Sequence, residues 1–573
     1  MKSFYNILLC ILFISVNNAF SQLTFWKGTI GGSGIDEIQD VSIDSEGNYW
    51  VAGFMGTNLD ADPGNGVATL NATAINTPIL LKLSPSGVLL NAFQFTNTLL
   101  AFGYSVDNDA EGNVYFQGYY LGEIDLDPGL QTNTEVSQGN GFSVFVVKLD
   151  NDGNFIWGKS VHTAGTLSGY QCQTMDVNDQ GEVVLGGYFK DTLLISSISP
   201  TDTELPPVGF TDGIVIRLNS NGDYLWSAQF AYPERDAVTS AVKIDPNNYV
   251  FVGVQFTFGL TLYPEEFNLA QTNSFNQDIY CARFMPDGTL DADWTLEGSS
   301  FDYLNALELT DNGDILLTGS IQGSMDFDFT AADVILSPGN ATDLGFIARY
   351  TNQGDLVWAK GFNSDSKSYC HGVVETADGK IHITGQHRQT TDFDPDNSLF
   401  NLSTQTPQQT DFDAFYCVLN GDGSFVSALA LQGAGNSLGE ALASKGTDVI
   451  LSGFFRNDID LDPSLGSETV QSQGESDAFL FAFNENNVGL NPLAVNELTV
   501  YPNPTKSIAS IDLRSLKGEI NLSVFNSTGQ IIEQIHLQGG VSAPLKQYPP
   551  GVYIIEVVCS GAIYKPVRLV VQP

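Results

Sequence analysis

The chain has 573 residues, of which 66 are acidic and 23 are basic, and its formal net charge is −43. A charge of that sign and size repels phosphate backbones and anionic lipid surfaces, which excludes nucleic acid as an expected partner. Hydrophobic residues make up 42% of the chain, enough for a substantial core, and the 57 glycines indicate a protein rich in tight turns.

The N-terminus has the features of a secretory signal peptide. A lysine at the second position is followed by an apolar run from Ile7 to Val16, and Ala19–Ser21 supplies small residues where a signal peptidase inspects the chain. We therefore predict a signal peptide over residues 1–21, with cleavage between Ser21 and Gln22. The apolar run is too short to cross a bilayer of about 30 Å, and no other stretch is long enough, so we expect no membrane span.

Seven repeats follow, with a period of 65 to 69 residues. The first signature of each repeat is a turn, found at Ser45–Asn48, Ala110–Asn113, Asp179–Gly181, Pro246–Asn248, Asn312–Asp314, Asp378–Gly379 and Lys445–Gly446. A second glycine comes six or seven residues after the turn, at Gly53, Gly118, Gly187, Gly253, Gly319, Gly385 and Gly453. A second turn occurs at Ser86–Gly87, Asp152–Gly153, Asn221–Gly222, Asp287–Gly288, Gln353–Gly354 and Asp422–Gly423.

Short runs of alternating apolar residues surround both turns of the repeat, and this pattern indicates half-buried strands. Each repeat is therefore predicted to form two hairpins, which together make a four-stranded antiparallel sheet of about 66 residues. Sheets of this kind, repeated in series, are typical of β-propeller blades.

A tryptophan often opens the fourth strand of the repeat. It is present as Trp157, Trp226 and Trp358, and displaced as Trp294. The first copy, Phe25-Trp26-Lys27, stands alone before the first hairpin, whereas the seventh repeat has no copy of its own. We therefore predict an all-β protein with a seven-bladed β-propeller over residues 22–489, in which the N-terminal strand completes the last blade. Closure removes exposed sheet edges, and an open solenoid would need capping repeats that the sequence does not contain.

The repeats resemble a broad family of bacterial propeller repeats of the form D-x-x-G-N-x-Y-V-x-G … D-F-D-P-G … F-V-x-K-L-D-x-x-G-x-x-x-W. Asp109–Gly118, Glu123–Gly129 and Phe145–Trp157 carry nearly the whole pattern within one repeat. The resemblance covers the chain from Leu23 to about Asn487. It implies the fold and not an activity, because propellers host both binding and catalysis.

The repeats stop at residues 490–497, which we predict to be a linker. Residues 498–573 follow with alternating apolar segments joined by turns, which predict a small β-sandwich. The segments include Val500–Pro504, Leu522–Gln530, Gly551–Val558 and Lys565–Val571. In this order they resemble the type A C-terminal sorting domain of type IX secretion cargo in Bacteroidetes. The resemblance implies a partnership with the type IX machinery, passage through the periplasm, and a protein that is secreted or attached to the outer membrane at the cell surface.

Five repeats carry a pair of aspartates after their second strand. The pairs are Asp60 and Asp62, Asp125 and Asp127, Asp326 and Asp328, Asp392 and Asp394, and Asp460 and Asp462. In an extended segment residues i and i+2 point to the same side, so each pair could offer oxygens to Ca²⁺. The alternative is that the aspartates only set a turn, which four of the pairs favour because proline follows directly. Calcium is the one cofactor that the sequence suggests.

The cysteines and histidines form no metal-binding pattern. Five cysteines remain after the signal peptide, without CxxC spacing, which favours buried thiols and leaves a Cys370–Cys417 disulfide open. Cys370, His371, His382 and His387 are close in the sixth repeat, but strand alternation places the first two on opposite faces. We expect ordinary strand packing there.

No catalytic signature is present: the sequence lacks a Gly-x-Ser-x-Gly elbow, a His-Glu-x-x-His helix and a phosphate-binding glycine loop. We therefore assign no catalytic residue. The leading hypothesis is a secreted or cell-surface binding or adhesion propeller, with a glycan or a surface protein as its ligand. The alternative is an extracellular carbohydrate-active enzyme, a lyase or hydrolase, with its site at the propeller axis.

Overall fold

The computed structural model describes residues 24–165, 170–195, 198–199, 204–263, 267–272, 276–328, 333–339, 341–396, 398–404, 411–462, 468–484, 500–501, 505–506, 508–513, 519–526, 531–538, 542–559 and 562–571. The predicted signal peptide, its cleavage point and the predicted linker lie outside these residues. The chain divides into two compact units, Met1–Val488 and Gly489–Pro573. In the described part of both units the regular structure is β, and no helix is long and apolar enough to cross a membrane.

The first unit is a ring of seven four-stranded antiparallel sheets, which we call blades one to seven. Strands a to d of a blade run from the axis outward. Strand a spans Asp36–Ile43, Leu100–Asn108, Tyr170–Val177, Ala237–Ile244, Asp302–Leu309, Lys367–Glu375 and Ser437–Lys445 in blades one to seven. Strand b spans Tyr49–Met55, Val114–Leu121, Val183–Phe189, Val250–Thr257, Ile315–Ile321, Lys380–Arg388 and Asp448–Phe455.

The outer half of each blade consists of strands c and d. Strand c spans Thr77–Leu83, Ser143–Leu149, Asp212–Leu218, Gln277–Phe284, Leu344–Tyr350, Asp413–Asn420 and Asp477–Asn484. Strand d spans Leu89–Gln94, Phe155–Thr163, Tyr224–Ala231, Leu290–Leu296, Leu356–Phe362 and Phe425–Leu431 in blades one to six. Strands b and c are the most buried, because both of their faces pack against neighbouring blades.

The N-terminal strand Thr24–Gly32 is strand d of blade seven. It pairs antiparallel with strand c of that blade, with Lys27 opposite Phe481 and Ile30 opposite Ala478. Strand a of blade seven in turn packs against strand a of blade one, so that the innermost strands form a closed cycle. The predicted seven-bladed ring and its closure by the N-terminal strand are confirmed.

A third hairpin in each repeat, between strands b and c, was not predicted. Its strands are Asn58–Asp60 with Thr69–Asn71, Glu123–Asp125 with Thr134–Val136, Leu193–Leu194 with Glu204–Leu205, Gly259–Tyr263 with Phe267–Gln271, Met325–Asp326 with Ile335–Leu336, Thr390–Asp392 with Asn401–Ser403, and Asp458–Asp460 with Thr469–Gln471. These crossover hairpins pair with strand d of the preceding blade or with the chain directly after it, as Gly31 opposite Asp60 and Asn97 opposite Ile124 show. The hairpins therefore cover edges that a four-stranded blade would leave open.

The tryptophans of strand d pack on the second turn of the next blade. Trp157 Nε1 donates to the carbonyl oxygen of Ser220 at 3.1 Å, and Trp358 Nε1 donates to that of Gly421 at 3.1 Å. The turn glycine must stay small here, since a Cβ on Gly222 would lie 3.1 Å from the Trp157 ring. Two signatures that recur separately in the sequence thus form the two sides of one interface.

A buried basic side chain on strand c links the same turns. Arg349 Nε lies 2.8 Å from Asp314 Oδ2 in the first turn of its own blade, and its Nη1 donates to the carbonyl oxygen of Gly421 in the next blade at 3.1 Å. Lys82 makes the equivalent contacts in blade one, with Asp44 and with the carbonyl oxygen of Asn151. Several of the few basic residues are therefore used to fix one blade against the next.

The second unit is described by itself. Val500–Tyr501, Ser510–Asp512 and Ser542–Pro544 form one antiparallel sheet; Glu519–Phe525, Ile531–Gln538, Gly551–Cys559 and Ala562–Val571 form another. Both sheets contribute to one hydrophobic cluster, which includes Ile511 and Leu545 from the first sheet and its edge, and Leu522 and Ile555 from the second. The predicted sandwich arrangement of these sheets stays a prediction.

The closing strand provides a test of how the ring is held. We expect Trp26→Ala to lower the free energy of unfolding by about 2–4 kcal/mol, because the ring of Trp26 packs on the Gly87 turn across the closure. The matched control is Ile156→Ala, which lies on strand d of blade two but is 47% exposed and should change little. Chemical denaturation followed by tryptophan fluorescence and circular dichroism measures both; equal effects would contradict this account of the closure.

Candidate binding site at the propeller axis

Every blade carries a β-bulge at the same place in strand a. In blade one, for example, Ile38 and Asp40 pair with the consecutive strand b residues Gly53 and Ala52, so the residue between them has no partner on strand b. The seven extra residues are Gln39, Tyr104, Gln173, Ser240, Asn305, His371 and Glu440. All seven have polar groups and none is fully buried. Since a bulge re-aims a side chain, we call this set the bulge ring and take it as the centre of the candidate site.

The bulge explains the second glycine of each repeat. In six blades a Cβ on that glycine of strand b would lie 1.9–2.2 Å from a strand a carbonyl oxygen two residues before the bulge, as for Gly118 and Phe102 or Gly385 and Tyr369. In blade four, Gly253 instead faces the Leu304 side chain of blade five at 2.2 Å. Sequence reasoning noted the glycines and missed the bulges; the recurring glycine in a strand was the available signal.

Three carboxylates meet near the bulge ring where the last and first blades join. Burial, together with the charges of Glu37 and Asp40, raises the pKa of Glu440 to about 8. Burial raises the pKa of Asp40 to about 6, although Ser105 Oγ and the Val106 backbone N–H donate to its Oδ2 at 2.7 and 3.0 Å. These side chains are half-buried, so the surrounding blades desolvate them while part of each stays exposed.

Aromatic side chains lie beside these carboxylates in blades two and three. The Tyr104 ring is 5.5 Å from Tyr119, whose ring is 4.9 Å from Phe102. Burial, together with the charge of Glu440, raises the pKa of Tyr104 to about 12. In blade three the Tyr188 hydroxyl hydrogen-bonds to the Gln171 amide oxygen. The phenols are therefore neutral donors, next to half-exposed ring faces.

An ionic cluster lies further along strand a, three residues after the bulge in blades two to five. Lys243 Nζ is 3.1 Å from Asp176 Oδ1 and 3.0 Å from Glu308 Oε2. Burial raises the pKa of Asp107 to about 8, and the charge of Asp176 contributes to the rise. The backbone N–H of Val177 donates to Asp107 Oδ2 at 2.8 Å, which links the second and third blades. The positive charge of Lys243 is thus already matched by carboxylates.

The paired aspartates predicted from the sequence lie in the crossover hairpins, away from the bulge ring. In each pair the first carboxylate accepts two backbone N–H groups; Asp125 Oδ1, for example, accepts those of Asp127 at 3.1 Å and Asn133 at 2.8 Å. The first aspartates of the other four pairs make the same two contacts; they are Asp60, Asp326, Asp392 and Asp460. Among the residues that the structure describes, no group of three or more His, Cys, Asp or Glu side chains is placed to hold a metal ion. Calcium binding by these pairs stays a prediction.

The residues of the sixth repeat are separated as strand alternation predicts. Cys370 and Cys417 are buried free thiols. His371 belongs to the bulge ring, and burial lowers its pKa to about 4. His382 Nδ1 hydrogen-bonds to the Tyr416 hydroxyl at 2.6 Å, and His387 Nδ1 to Thr391 Oγ1 at 3.2 Å. These contacts are strand packing, and only His371 joins the candidate site.

The fold defines a seven-bladed β-propeller protein, in which the polar bulge residues lie on the strands around the central axis. Residues 499–572 match the family described as a secretion system C-terminal sorting domain. That match confirms the resemblance of the tail to type IX cargo, and it indicates a secreted or cell-surface protein that engages the type IX machinery.

The chain is also similar to other proteins at low sequence identity. Over 205 residues, 31% of this chain, the sequence is 24% identical to the uncharacterized WD repeat-containing protein L264 of Acanthamoeba polyphaga mimivirus, and the match spans 14% of that protein. The WD40 domain of Neurospora crassa Pan2 is similar at 10% identity and a TM-score of 0.33, over 79% of this chain and 89% of that one. A family PL25 ulvan lyase is similar at 10% identity and a TM-score of 0.36, over 78% and 96%. These likenesses carry no argument about ligand or activity.

The pKa of Glu440 gives a prediction about stability and pH. A glutamate in the unfolded chain ionises near its ordinary value of 4.5, and in the folded channel near 8. Between these values the folded state keeps a proton that the unfolded state has lost, so the side chain makes the fold less stable as pH rises. We expect Glu440→Gln to gain about 1–2 kcal/mol relative to the natural chain between pH 5 and pH 8.

Guanidinium denaturation at pH 5, 6, 7 and 8 measures this difference. The control is Glu111→Gln, at an exposed turn of blade two, which should follow the natural chain at every pH. If the free energy of unfolding changes with pH by the same amount in Glu440→Gln and in the natural chain, Glu440 is not desolvated in the folded state.

Proposed function

We propose that this protein is a secreted or cell-surface binding protein whose ligand enters the axial channel and contacts the bulge ring. The observation that carries the proposal is the repetition of one bulge in all seven strands nearest the axis. Each bulge adds a polar residue, so seven strands direct varied donors and acceptors toward one axis. A ring needed only for packing could use regular strands with small apolar residues, as other positions of strand a do at Ala241 and Ala306.

The chemistry of the channel favours an uncharged, polyhydroxylated ligand, that is, a neutral saccharide. The amides of Gln39, Gln173 and Asn305 supply both donors and acceptors, and the carboxylates accept hydrogen bonds from hydroxyl groups. The half-exposed ring of Tyr104 offers an apolar face with a polar tip. Few precisely placed polar groups around an apolar surface are the usual composition of a small-molecule site.

Charge disfavours a polyanionic ligand. Lys243 is held between Asp176 and Glu308, so it offers no free cation to a uronate or sulfate group. Glu37, Asp40 and Glu440 bring further carboxyl groups to the same channel, and the whole chain carries −43. A polymer of acidic sugars would meet repulsion at both long and short range.

A second candidate function is hydrolysis of a neutral glycan. It is favoured by two neighbouring carboxyl groups with different pKa values, about 8 for Glu440 and about 6 for Asp40. At neutral pH the first holds a proton and the second is largely ionised, which is the division of roles that glycosidases use. Glu440 would then act as the general acid.

Binding is tested with Tyr104→Ala on the full chain. The probes are neutral polysaccharides (β-glucan, xylan and mannan) and acidic ones (alginate and polygalacturonate), measured by isothermal titration calorimetry. We expect saturable binding to at least one neutral polymer, at least a tenfold loss of affinity in Tyr104→Ala, and no binding to the acidic polymers. Loss of a stacking face and a hydroxyl donor is the reason.

Leu225→Ser is the control, because Leu225 lies on the exposed outer strand of blade three and is 43% exposed. It should bind as the natural chain does, and circular dichroism should show both variants folded. Binding to the acidic polymers alone, or equal losses in both variants, would overturn the proposal.

Hydrolysis is tested on any neutral polymer that binds. We expect the natural chain to release reducing ends and Glu440→Gln to lose at least 100-fold in rate with unchanged affinity, because the amide cannot donate the acid proton. Absence of product from a polymer that binds would leave binding as the function and reject the hydrolase.

A further inference from the structure

Two blade interfaces hold a pair of buried aspartates that is distinct from the crossover-hairpin pairs. One aspartate stands at the start of strand c, and the other starts strand a of the next blade. Asp278 and Asp302 form the pair between blades four and five; Asp477 and Asp36 form the pair where blade seven meets blade one. All four side chains are between 0% and 2% exposed.

One glycine brings the two members of each pair together. The Gly298 backbone N–H donates to Asp278 Oδ1 at 3.1 Å, and a Cβ on Gly298 would lie only 1.8 Å from Asp302 Oδ2. In the other pair the Gly32 backbone N–H lies against both Asp36 and Asp477. Each glycine precedes the strand a aspartate by four residues, so the two interfaces repeat one arrangement.

The carboxylates of both pairs have oxygens without a hydrogen-bond partner within the described residues. Neither oxygen of Asp302 has one, and Asp278 Oδ2, Asp36 Oδ2 and Asp477 Oδ1 also lack one. Two carboxylates buried side by side without a compensating charge are strongly unfavourable. Either a proton or a bound cation must therefore offset the negative charge at each pair.

Other interfaces show how the same position is satisfied when the strand a aspartate is absent. Between blades five and six, the residue equivalent to Asp302 is Ser368, and the strand c position equivalent to Asp278 is Leu344. Ser368 Oγ accepts the Gly345 N–H at 2.8 Å and donates to the Phe362 carbonyl oxygen at 2.7 Å. Between blades six and seven, Ser437 Oγ likewise accepts the Ala414 N–H at 2.8 Å and donates to the Leu431 carbonyl oxygen at 3.2 Å. A serine at this position is satisfied by neutral backbone partners and brings no second charge to the interface.

We propose that the Asp278–Asp302 and Asp477–Asp36 pairs each bind one divalent cation, with Ca²⁺ as the fitting ion. Carboxylates and carbonyl oxygens are the ligands that Ca²⁺ prefers, and its six to eight positions accept backbone oxygens and water beside two aspartates. At the Asp477–Asp36 pair the ion also joins the N-terminal blade to the last one, so calcium strengthens the ring closure.

The experiment measures Ca²⁺ binding to the full chain by isothermal titration calorimetry at pH 7.5 after removal of metal with EDTA. We expect the natural chain to bind two equivalents of Ca²⁺. Asp302→Ser and Asp36→Ser should each bind one equivalent, and the double variant should bind none. Serine is the matched replacement because blades six and seven carry it at this position. We also expect 2 mM Ca²⁺ to raise the melting temperature of the natural chain by several degrees, and not that of the double variant.

Asp125→Ser, in a crossover hairpin, is the control and should keep two equivalents. Should a serine variant fail to fold, Asp278→Asn gives the same test at the first pair. A natural chain that binds no Ca²⁺ and melts identically in EDTA would mean that protons neutralise the pairs, and would overturn the proposal. Loss of binding in Asp125→Ser but not in Asp302→Ser would also overturn it, and would assign calcium to the hairpins.

Discussion

Closure of the ring by the N-terminal strand is the constraint on which the rest of the structure depends. The strand Thr24–Gly32 supplies the outermost strand of the last blade, so that residues more than 440 positions apart share one sheet. Without it, blade seven would expose an unpaired edge, and Trp26 could not pack against the first blade. The innermost strands surround the axis only because all seven of them form a closed cycle. The positions of the side chains around the axis therefore depend on the closure.

The blades are held to one another by a small set of repeated contacts. The aromatic residue of strand d, the glycine turn of the next blade and the basic residue of strand c meet at the same interface, as Trp358, Gly423 and Arg349 illustrate. Each contact joins neighbours only, so stability is built blade by blade and completed at the last interface. The basic residues used in this way are buried, which leaves the exposed surface and the channel predominantly acidic.

Rigidity at the interfaces allows polar groups to be placed at the axis. The bulge ring is supported from behind by a glycine on strand b, and the carboxylates of Asp40 and Asp107 accept backbone N–H groups from the next blade. These hydrogen bonds hold charged groups in place at positions where burial raises their pKa. The acidic excess of the whole chain adds to the negative potential around these carboxyl groups.

The sequence by itself determined the export route, the number of blades and the closure, because these follow from local signals: turn glycines at a fixed period, a lone Phe25-Trp26-Lys27 copy, and motifs in the tail. It also located Asp125 and its equivalents in loops. Only the tertiary structure revealed the bulges, the crossover hairpins and the Asp278–Asp302 pair. The recurring glycine of strand b marks the bulge only indirectly, because the extra residue itself lies on strand a and varies in type. Carboxylates from different blades become neighbours only when the ring brings distant strands together.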